Sequence, residues 1–247
     1  MHRLFVSFRF NKMKKETLWN GVSLFTQEDS FPLGTDSVVC AGFAKFPKNS
    51  RIADLGCGSG AIALMLLASD STLQVTGIEL DEQAARQAAE NARLNAVNFT
   101  ALQGDLRNIR DLLPAGSMDG CISNPPYFPV GSGKQAAGPL AKARSEETCS
   151  LEDLTTAAAW LLRTGGSFVL VHRPERLTDL LWELRNHQLE PKRIQFVRHK
   201  PQSPINLVLI EARKGGKPGL SYEPDLVFFH EDGSETVPYQ TLYHRKD

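Results

Sequence analysis

The sequence predicts an α/β protein, a doubly wound, mainly parallel sheet of seven strands with an antiparallel C-terminal strand. Three observations carry this. Short apolar runs alternate with helical patterns and short loops, the order that builds parallel βαβ units. The first run of the series ends in a glycine-rich turn that opens a helix. The last two runs, 193–198 and 206–211, follow one another with no helix between them, so at least one must lie antiparallel.

The chain has 247 residues, 41% hydrophobic and 23% charged. That is enough to bury a full core, and one α/β domain with additions is the natural division. Residues 1–30 read as a partly irregular N-terminal extension, 31–214 as the main domain and 215–247 as a tail packed on it. Met13, followed by Lys-Lys-Glu, has the look of a native start, with 1–12 as extra sequence. Formal net charge is zero, so contact with nucleic acid must come from local patches. Cys40, Cys57, Cys121 and Cys149 form no C-x-x-C pair and read as reduced and intracellular. No apolar run approaches the roughly 18 residues of a membrane span. Arg9, Lys12, Lys14 and Lys15 interrupt the N-terminal apolar residues, against a signal peptide. The expectation is a cytoplasmic protein, monomeric, with no membrane and no metal.

Residues 13–30 are polar and irregular in pattern. In the stretch 31–44, Thr35 or Asp36 can cap a short helix whose apolar face is Val38, Val39 and Phe43. A buried strand, 51–55, ends at Asp54-Leu55 and runs into Gly56-Cys57-Gly58-Ser59-Gly60, then a helix, 61–68. Glycines there allow a tight turn and close approach of backbone to a ligand. The helix N-terminus offers N–H groups to a carboxylate or a ribose oxygen. The spacing G-x-G-x-G departs from the G-x-G-x-x-G of dinucleotide enzymes. The next strand, 73–78, delivers Glu79 to its C-terminal end, where a carboxylate suits ribose hydroxyls. A helix over 81–94 shows a small-residue face of Ala85, Ala88, Ala89 and Ala92. The third strand, 99–103, is followed by Asp105 and Leu106. Asp105 suits an adenine amino group, or simply caps the short segment after it.

The fourth strand, 118–123, stops at Asn124-Pro125-Pro126-Tyr127, because two prolines cannot continue a central strand. In an open α/β sheet this edge is where ligands bind. Asn124 and the Pro125 carbonyl can accept the two hydrogens of an amino group on a planar ring, and Tyr127 supplies a face to stack on. A plain turn closing a strand is the competing reading. Residues 128–150 are loop-like, a substrate-gating loop or disorder. A helix over 151–163 ends at Gly165-Gly166, read as its C-cap. Then come the fifth strand, 167–172, a helix to about His187 with Leu177, Leu180, Leu181 and Leu184 on one face, and the final two strands.

Asp54 with Gly56, Gly58 and Gly60, then Glu79, Asp105 and Asn124-Pro125-Pro126-Tyr127, stand in the order and spacing of class I S-adenosylmethionine-dependent methyltransferases, which the chain resembles over 31–211. The resemblance implies the Rossmann-like fold of that class and S-adenosyl-L-methionine as cofactor. It places the methionine end on the glycine loop, the ribose on Glu79 and the adenine on Asp105 and Leu106, with Thr35, Asp36, Asp54 and Asn124 also at the cofactor. Asn124, Pro125, Pro126 and Tyr127 are then catalytic. The finer match is to bacterial tRNA(Val) (adenine-37-N6)-methyltransferases. It rests on 31–37, on Ala143-Arg144-Ser145-Glu146, and on His172-Arg173-Pro174-Glu175-Arg176-Leu177, Glu190-Pro191-Lys192-Arg193, Asn206 and Ile210-Glu211. That family often has His where Ser145 stands. The resemblance implies tRNA or another structured RNA as partner.

A glutamine-N5 protein methyltransferase and a guanine-N2 rRNA methyltransferase share the Asn-Pro-Pro-Tyr loop. The former carry a helical N-terminal domain that the short stretch before the first strand here does not match. An inactive cofactor-binding RNA-binding protein would not need Asn124 and Tyr127. Ten Arg/Lys face five Asp/Glu between Arg173 and Lys217. Within that span Lys192, Arg193, Arg198 and Lys200 cluster with few acids to pair, so they are expected, with Arg173, to grip RNA phosphates, and Phe128 to join Tyr127 in stacking the target base.

Overall fold

The computed structural model describes residues 13–27, 33–125 and 149–243. Pro126, Tyr127, Phe128, Phe31, Pro32 and the stretch 143–146 therefore lie outside the described residues. The expected α/β architecture is present. A central sheet is built from β3 (Arg51–Leu55), β4 (Gln74–Glu79), β5 (Phe99–Gln103), β6 (Met118–Ser123), β7 (Leu162–His172), β8 (Leu189–Arg198) and β9 (Ile205–Lys214). Two short strands, β10 (Ser221–Tyr222) and β11 (Leu226–Val227), pair with β8. The order is β10-β8-β9-β7-β6-β3-β4-β5. β9 lies antiparallel to β7 and β8, and the remaining pairs of this sheet are parallel.

Apolar cores fill both faces. α1 (Thr35–Phe43), α2 (Ala61–Ser69) and α3 (Glu82–Asn95) cover one face. α4 (Ile109–Leu112), α5 (Leu151–Leu161) and α6 (Leu177–Asn186) cover the other. Coverage on both sides explains why β3 is buried at every position after Arg51, Asp54 included. α2 is buried from Ile62 through Leu67, a helix wedged into the core rather than lying on it. The β3 strand pairs with β4 on one side and β6 on the other. Chain connections diverge there, and the crevice at the C-terminal ends of β3 and β6 is the topological switch point at which such sheets bind ligands.

Three local expectations are corrected. First, residues 13–27 are an ordered antiparallel hairpin, β1 (Met13–Thr17) on β2 (Ser23–Gln27), not irregular chain. It is anchored by Leu18, Trp19 and Leu24, all buried, and joined by a 3-10 turn, Trp19–Gly21, whose Asn20 has φ 51°. Second, Gly34 is the N-cap of α1, and Thr35 and Asp36 fall inside its first turn. Third, α5 ends at Leu161 and Gly165-Gly166 belong to β7. They form an irregularity there, since Met118 pairs with Leu162 but Gly120 pairs with Ser167. Gly165 adopts φ 82°, and a Cβ on Gly166 would sit 2.9 Å from the Asp119 carbonyl, so glycine serves a bulge rather than a helix end.

The tail after β9 is stapled to β8 by the basic residues that the sequence assigned to RNA. Arg193 pairs with its cross-strand neighbour Glu211 at 2.8 Å, donates to the Phe43 carbonyl at 2.7 Å and lies over the Phe43 ring at 3.8 Å. Its side chain is only 13% exposed. Arg198 pairs with Asp225 at 2.6 Å. Lys192 and Lys200 donate to the carbonyls of Lys217 and Glu231. The expectation of few acids to pair is thus corrected, because Glu223 and Asp225 arrive from the tail. Removing one partner of a buried pair strands the other charge. Arg193→Gln should therefore lower unfolding free energy by roughly 3 kcal/mol in a denaturant titration, with Glu211 left only its longer contacts to Arg213 and Ser167.

Candidate active site

The site forms where β3 and β6 end side by side. Their backbone register closes at Asp54 and Ile122. Past it, the Ser123 hydroxyl donates to the Leu55 carbonyl at 2.7 Å. Ser123 is fully buried, and its own carbonyl accepts from Cys40 Sγ on α1 at 3.5 Å. Asn124 follows, half-buried, with Nδ2 donating to Ser37 Oγ at 3.0 Å. Pro125 is buried behind it. α1 therefore grips the end of β6 twice, through Ser37 and Cys40. With its Nδ2 on Ser37, the Asn124 amide carries its carbonyl on the opposite side of the planar group. Thr35 and Asp36, half-buried, occupy the turn of α1 beside Ser37.

The glycine loop leaves β3 at the same edge. Gly56 and Cys57 donate to the Ile78 carbonyl at 2.9 and 3.1 Å. Gly58 donates to Glu79 Oε2 at 2.8 Å, and Asp81 N–H donates to Glu79 Oε1 at 2.9 Å. Glu79 is thereby pinned against the loop at the end of β4, where the sequence placed it. The glycines divide by role. Gly56 and Gly58 adopt φ 75° and 54°, and a Cβ on either would meet nothing within 4 Å, so the loop turns a bare backbone toward open space. Gly60, at φ 87°, is required by packing as well, because a Cβ there would stand 2.5 Å from the Phe99 ring.

Asp54 lies beneath this loop, 1% exposed, and neither carboxyl oxygen has a hydrogen bond of normal geometry. Burial pushes its pKa up to about 7, the nearby Glu79 adds to the rise, and the Ala63 N–H at the start of α2 offsets part of it. A buried carboxyl with no partner is costly once ionised. A cation brought to the loop would supply the partner. Asp105 stands just past the end of β5, and of its two expected roles the cap is present. Its carboxylate accepts from the backbone N–H of Arg107 at 2.9 Å and from the Arg107 guanidinium at 2.5–3.0 Å, which holds its pKa below the ordinary value. It also caps the 3-10 turn Leu106–Asn108, so a ligand amino group at Asp105 has to be taken beside Arg107.

The structure thus brings together Asp54, Gly56, Gly58, Gly60, Glu79, Asn124 and Pro125, with Thr35 and Asp36 on the adjoining turn. It keeps Arg193 and Arg198 in ion pairs with the tail. Ser37 and Ser123 had no role in the sequence reading, although both orient the Asn124 segment. Nothing marks them in the sequence, since a serine at a helix start or strand end is commonplace.

The matching family model is "Methyltransferase small domain", over residues 34–186. The chain belongs to the methyltransferase small domain family. Relatives of this methyltransferase include the tRNA1(Val) (adenine(37)-N6)-methyltransferase of Parabacteroides distasonis, 33% identical over 81% of each chain. The protein of that name from Bacteroides fragilis is 30% identical over 81% of this chain and 82% of the relative. Among solved structures, a predicted O-methyltransferase from Agrobacterium tumefaciens superposes with TM-score 0.70 at 21% identity, covering 85% of this chain and 96% of that one. That likeness concerns the fold. S-adenosyl-L-methionine is the methyl donor the family uses, and the site fits it. The open glycine backbone gives it a cradle, and the unpartnered Asp54 is complementary to the positive charge of its methionine end.

The buried carboxyl carries a pH signature. A folded pKa raised from 3.8 to about 7 means that the contribution of protonated Asp54 is fully present below 3.8 and is lost as pH rises through 7. Without cofactor, wild-type stability should therefore fall relative to Asp54→Asn as pH goes from 4 to 7, by at most about 1.4 kcal/mol per pH unit. Thermal or denaturant unfolding of both proteins across that range measures it.

Proposed function

We propose that this methyltransferase transfers a methyl group from S-adenosyl-L-methionine to the N6 amine of an adenine in tRNA, next to the anticodon, in the cytoplasm. The observation that carries the reading is the juxtaposition of the glycine loop with Asn124, whose amide is oriented by Ser37. The names of the relatives agree with it. Among the described residues no helix is long and apolar enough to cross a membrane.

In this reading Asp54 and the loop Gly56, Gly58 and Gly60 hold the methionine end of the cofactor. Glu79 takes the ribose, Asp105 and Leu106 the adenine, and Thr35 and Asp36 close over them. The cofactor supplies an electrophilic methyl group on a sulfonium centre. The remaining work falls to this chain. An adenine amino nitrogen is a weak nucleophile because its lone pair is delocalised into the ring. Asn124 Oδ1 and the Pro125 carbonyl accept its two hydrogens and favour a pyramidal nitrogen with a localised lone pair. These acceptors act most strongly on the positive charge that develops as the nitrogen is alkylated, which is where rate is gained. The alkylated nitrogen is acidic and releases its proton to water without a strong protein base. Tyr127 and Phe128 stack the base, which has to be unstacked from its neighbours to enter. On the β8 face, Lys192 and Lys200 keep two of three ammonium donors for phosphate, whereas Arg193 and Arg198 act through the tail they hold. Arg173, just past the end of β7, donates to the carbonyl of Asn206 at the start of β9.

Purified protein, labelled cofactor and tRNA, followed by nucleoside mass spectrometry, test the reaction. N6-methyladenosine should appear with wild type. Asn124→Ala should lower the single-turnover rate at least ~100-fold, the scale for removing one transition-state acceptor, with cofactor affinity nearly unchanged. A methylated guanosine, or a methylated glutamine in an added protein, would overturn the adenine assignment.

A further inference from the structure

We infer that Asn91 is a positioning residue for the cofactor loop, tying the N-terminal hairpin to the Ser59 carbonyl so that hairpin docking and cofactor binding strengthen one another. The inference begins with an exposed-edge problem. Successive residues of a strand send their N–H and C=O groups to opposite edges, and only one edge of β2 faces β1. The groups of Ser23 and Phe25 on the other edge need partners. Two asparagine side chains of α3 supply them. Asn95 Oδ1 accepts from Ser23 N–H at 2.8 Å, and its Nδ2 donates to the Ser23 carbonyl at 2.7 Å. Asn91 Oδ1 accepts from Phe25 N–H at 3.0 Å, and its Nδ2 donates to the Phe25 carbonyl at 2.9 Å. Each amide thus imitates the backbone of a missing strand. The spacing works because four helical residues rise about 6 Å and two strand residues about 6.8 Å.

Asn91 does one thing more. Its Nδ2 also donates, at 2.9 Å, to the carbonyl of Ser59 in the glycine loop. The side chain is fully buried, and its orientation is determined by its neighbours. Reversing the amide would set oxygen against two carbonyls and nitrogen against an N–H. From the β4 side the loop is held by the Ile78 carbonyl and Glu79. From the α3 side it is held by Asn91. Ser59 sits between Gly58 and Gly60, both at positive φ, so the orientation of its peptide decides where the bare backbone of the loop points. The hairpin lies outside residues 34–186, which the family model matches, and Asn91 joins it to the loop inside them. Coupling of this kind is reciprocal: the factor by which docking tightens the cofactor is the factor by which the cofactor tightens docking.

The inference rests on the glycine loop being the cofactor cradle, and hydrogen exchange separates the two ideas. In wild type, saturating S-adenosylhomocysteine should slow exchange of the Gly58 amide and, several-fold, that of Phe25. Asn91→Ala should raise the cofactor dissociation constant about tenfold, the loss of one buried hydrogen bond. It should retain kcat at saturation and the KM for tRNA, and abolish the cofactor's effect on the remaining hairpin amides. Asn95→Ala removes equivalent docking bonds without touching Ser59, so its cofactor dissociation constant should stay within about twofold of wild type. If Gly58 is protected while Phe25 is not, the coupling is wrong and the cradle stands. If neither is protected, the cradle assignment itself falls. Equal weakening by both alanine variants would also overturn the inference, and should Asn91→Ala fail to fold, the wild-type exchange experiment decides alone.

Discussion

The structure depends on one short hydrogen bond, from the Ser123 hydroxyl to the Leu55 carbonyl. It joins the ends of β3 and β6 after their backbone pairing has finished. The glycine loop starts at one end and Asn124 at the other, so in the proposed reading this contact fixes the level of the donor's cradle relative to the acceptor's hydrogen-bonding groups. Methyl transfer needs near-linear approach over a short distance, and small displacements are expensive in rate. A buried hydroxyl between two strand ends suits that demand, since it is neither exposed to water nor free to rotate away from its partner. α1 reinforces it by holding Ser123 and Asn124 from above through Cys40 and Ser37.

Around this fixed point the protein arranges charge by burial. Asp54 is kept without a partner under the loop, Glu79 is held by two backbone N–H groups, and Asp105 is occupied by Arg107. The three carboxyls at the ends of adjacent strands therefore differ in readiness. Asp54 gains most from an arriving cation, Glu79 is pre-aligned, and Asp105 takes a second donor. On the far side of the sheet edge, Arg193 and Arg198, both partly buried, are structural. Their pairing with Glu211, Glu223 and Asp225 makes the tail part of the domain's architecture at β8.

Much of this was legible in the sequence, for identifiable reasons. Two-sided burial enriches strands in apolar residues, so β3 and the 167–172 part of β7 were evident, and the missing helix between β8 and β9 gave away the antiparallel strand. The glycine loop, Glu79 and Asn124 stood out because their residue types answer to backbone geometry or to a strand-end position. What escaped was held by partners distant in sequence. The hairpin looked irregular because its outer edge is satisfied by Asn91 and Asn95 rather than by a strand. Gly165-Gly166 imitated a helix cap because a bulge asks for the same backbone freedom. The β8 cations looked unpaired because two of their acids lie beyond the segment that was weighed.

The central claim is that the Ser123–Leu55 contact sets the alignment of donor and acceptor. The most direct measurement is the single-turnover rate of methyl transfer to tRNA for Ser123→Ala, alongside its cofactor dissociation constant by calorimetry. The account predicts a rate lowered roughly tenfold or more with cofactor affinity held within about twofold, because each binding surface survives and only their relative level is released. A rate equal to wild type, at equal affinity, would contradict it.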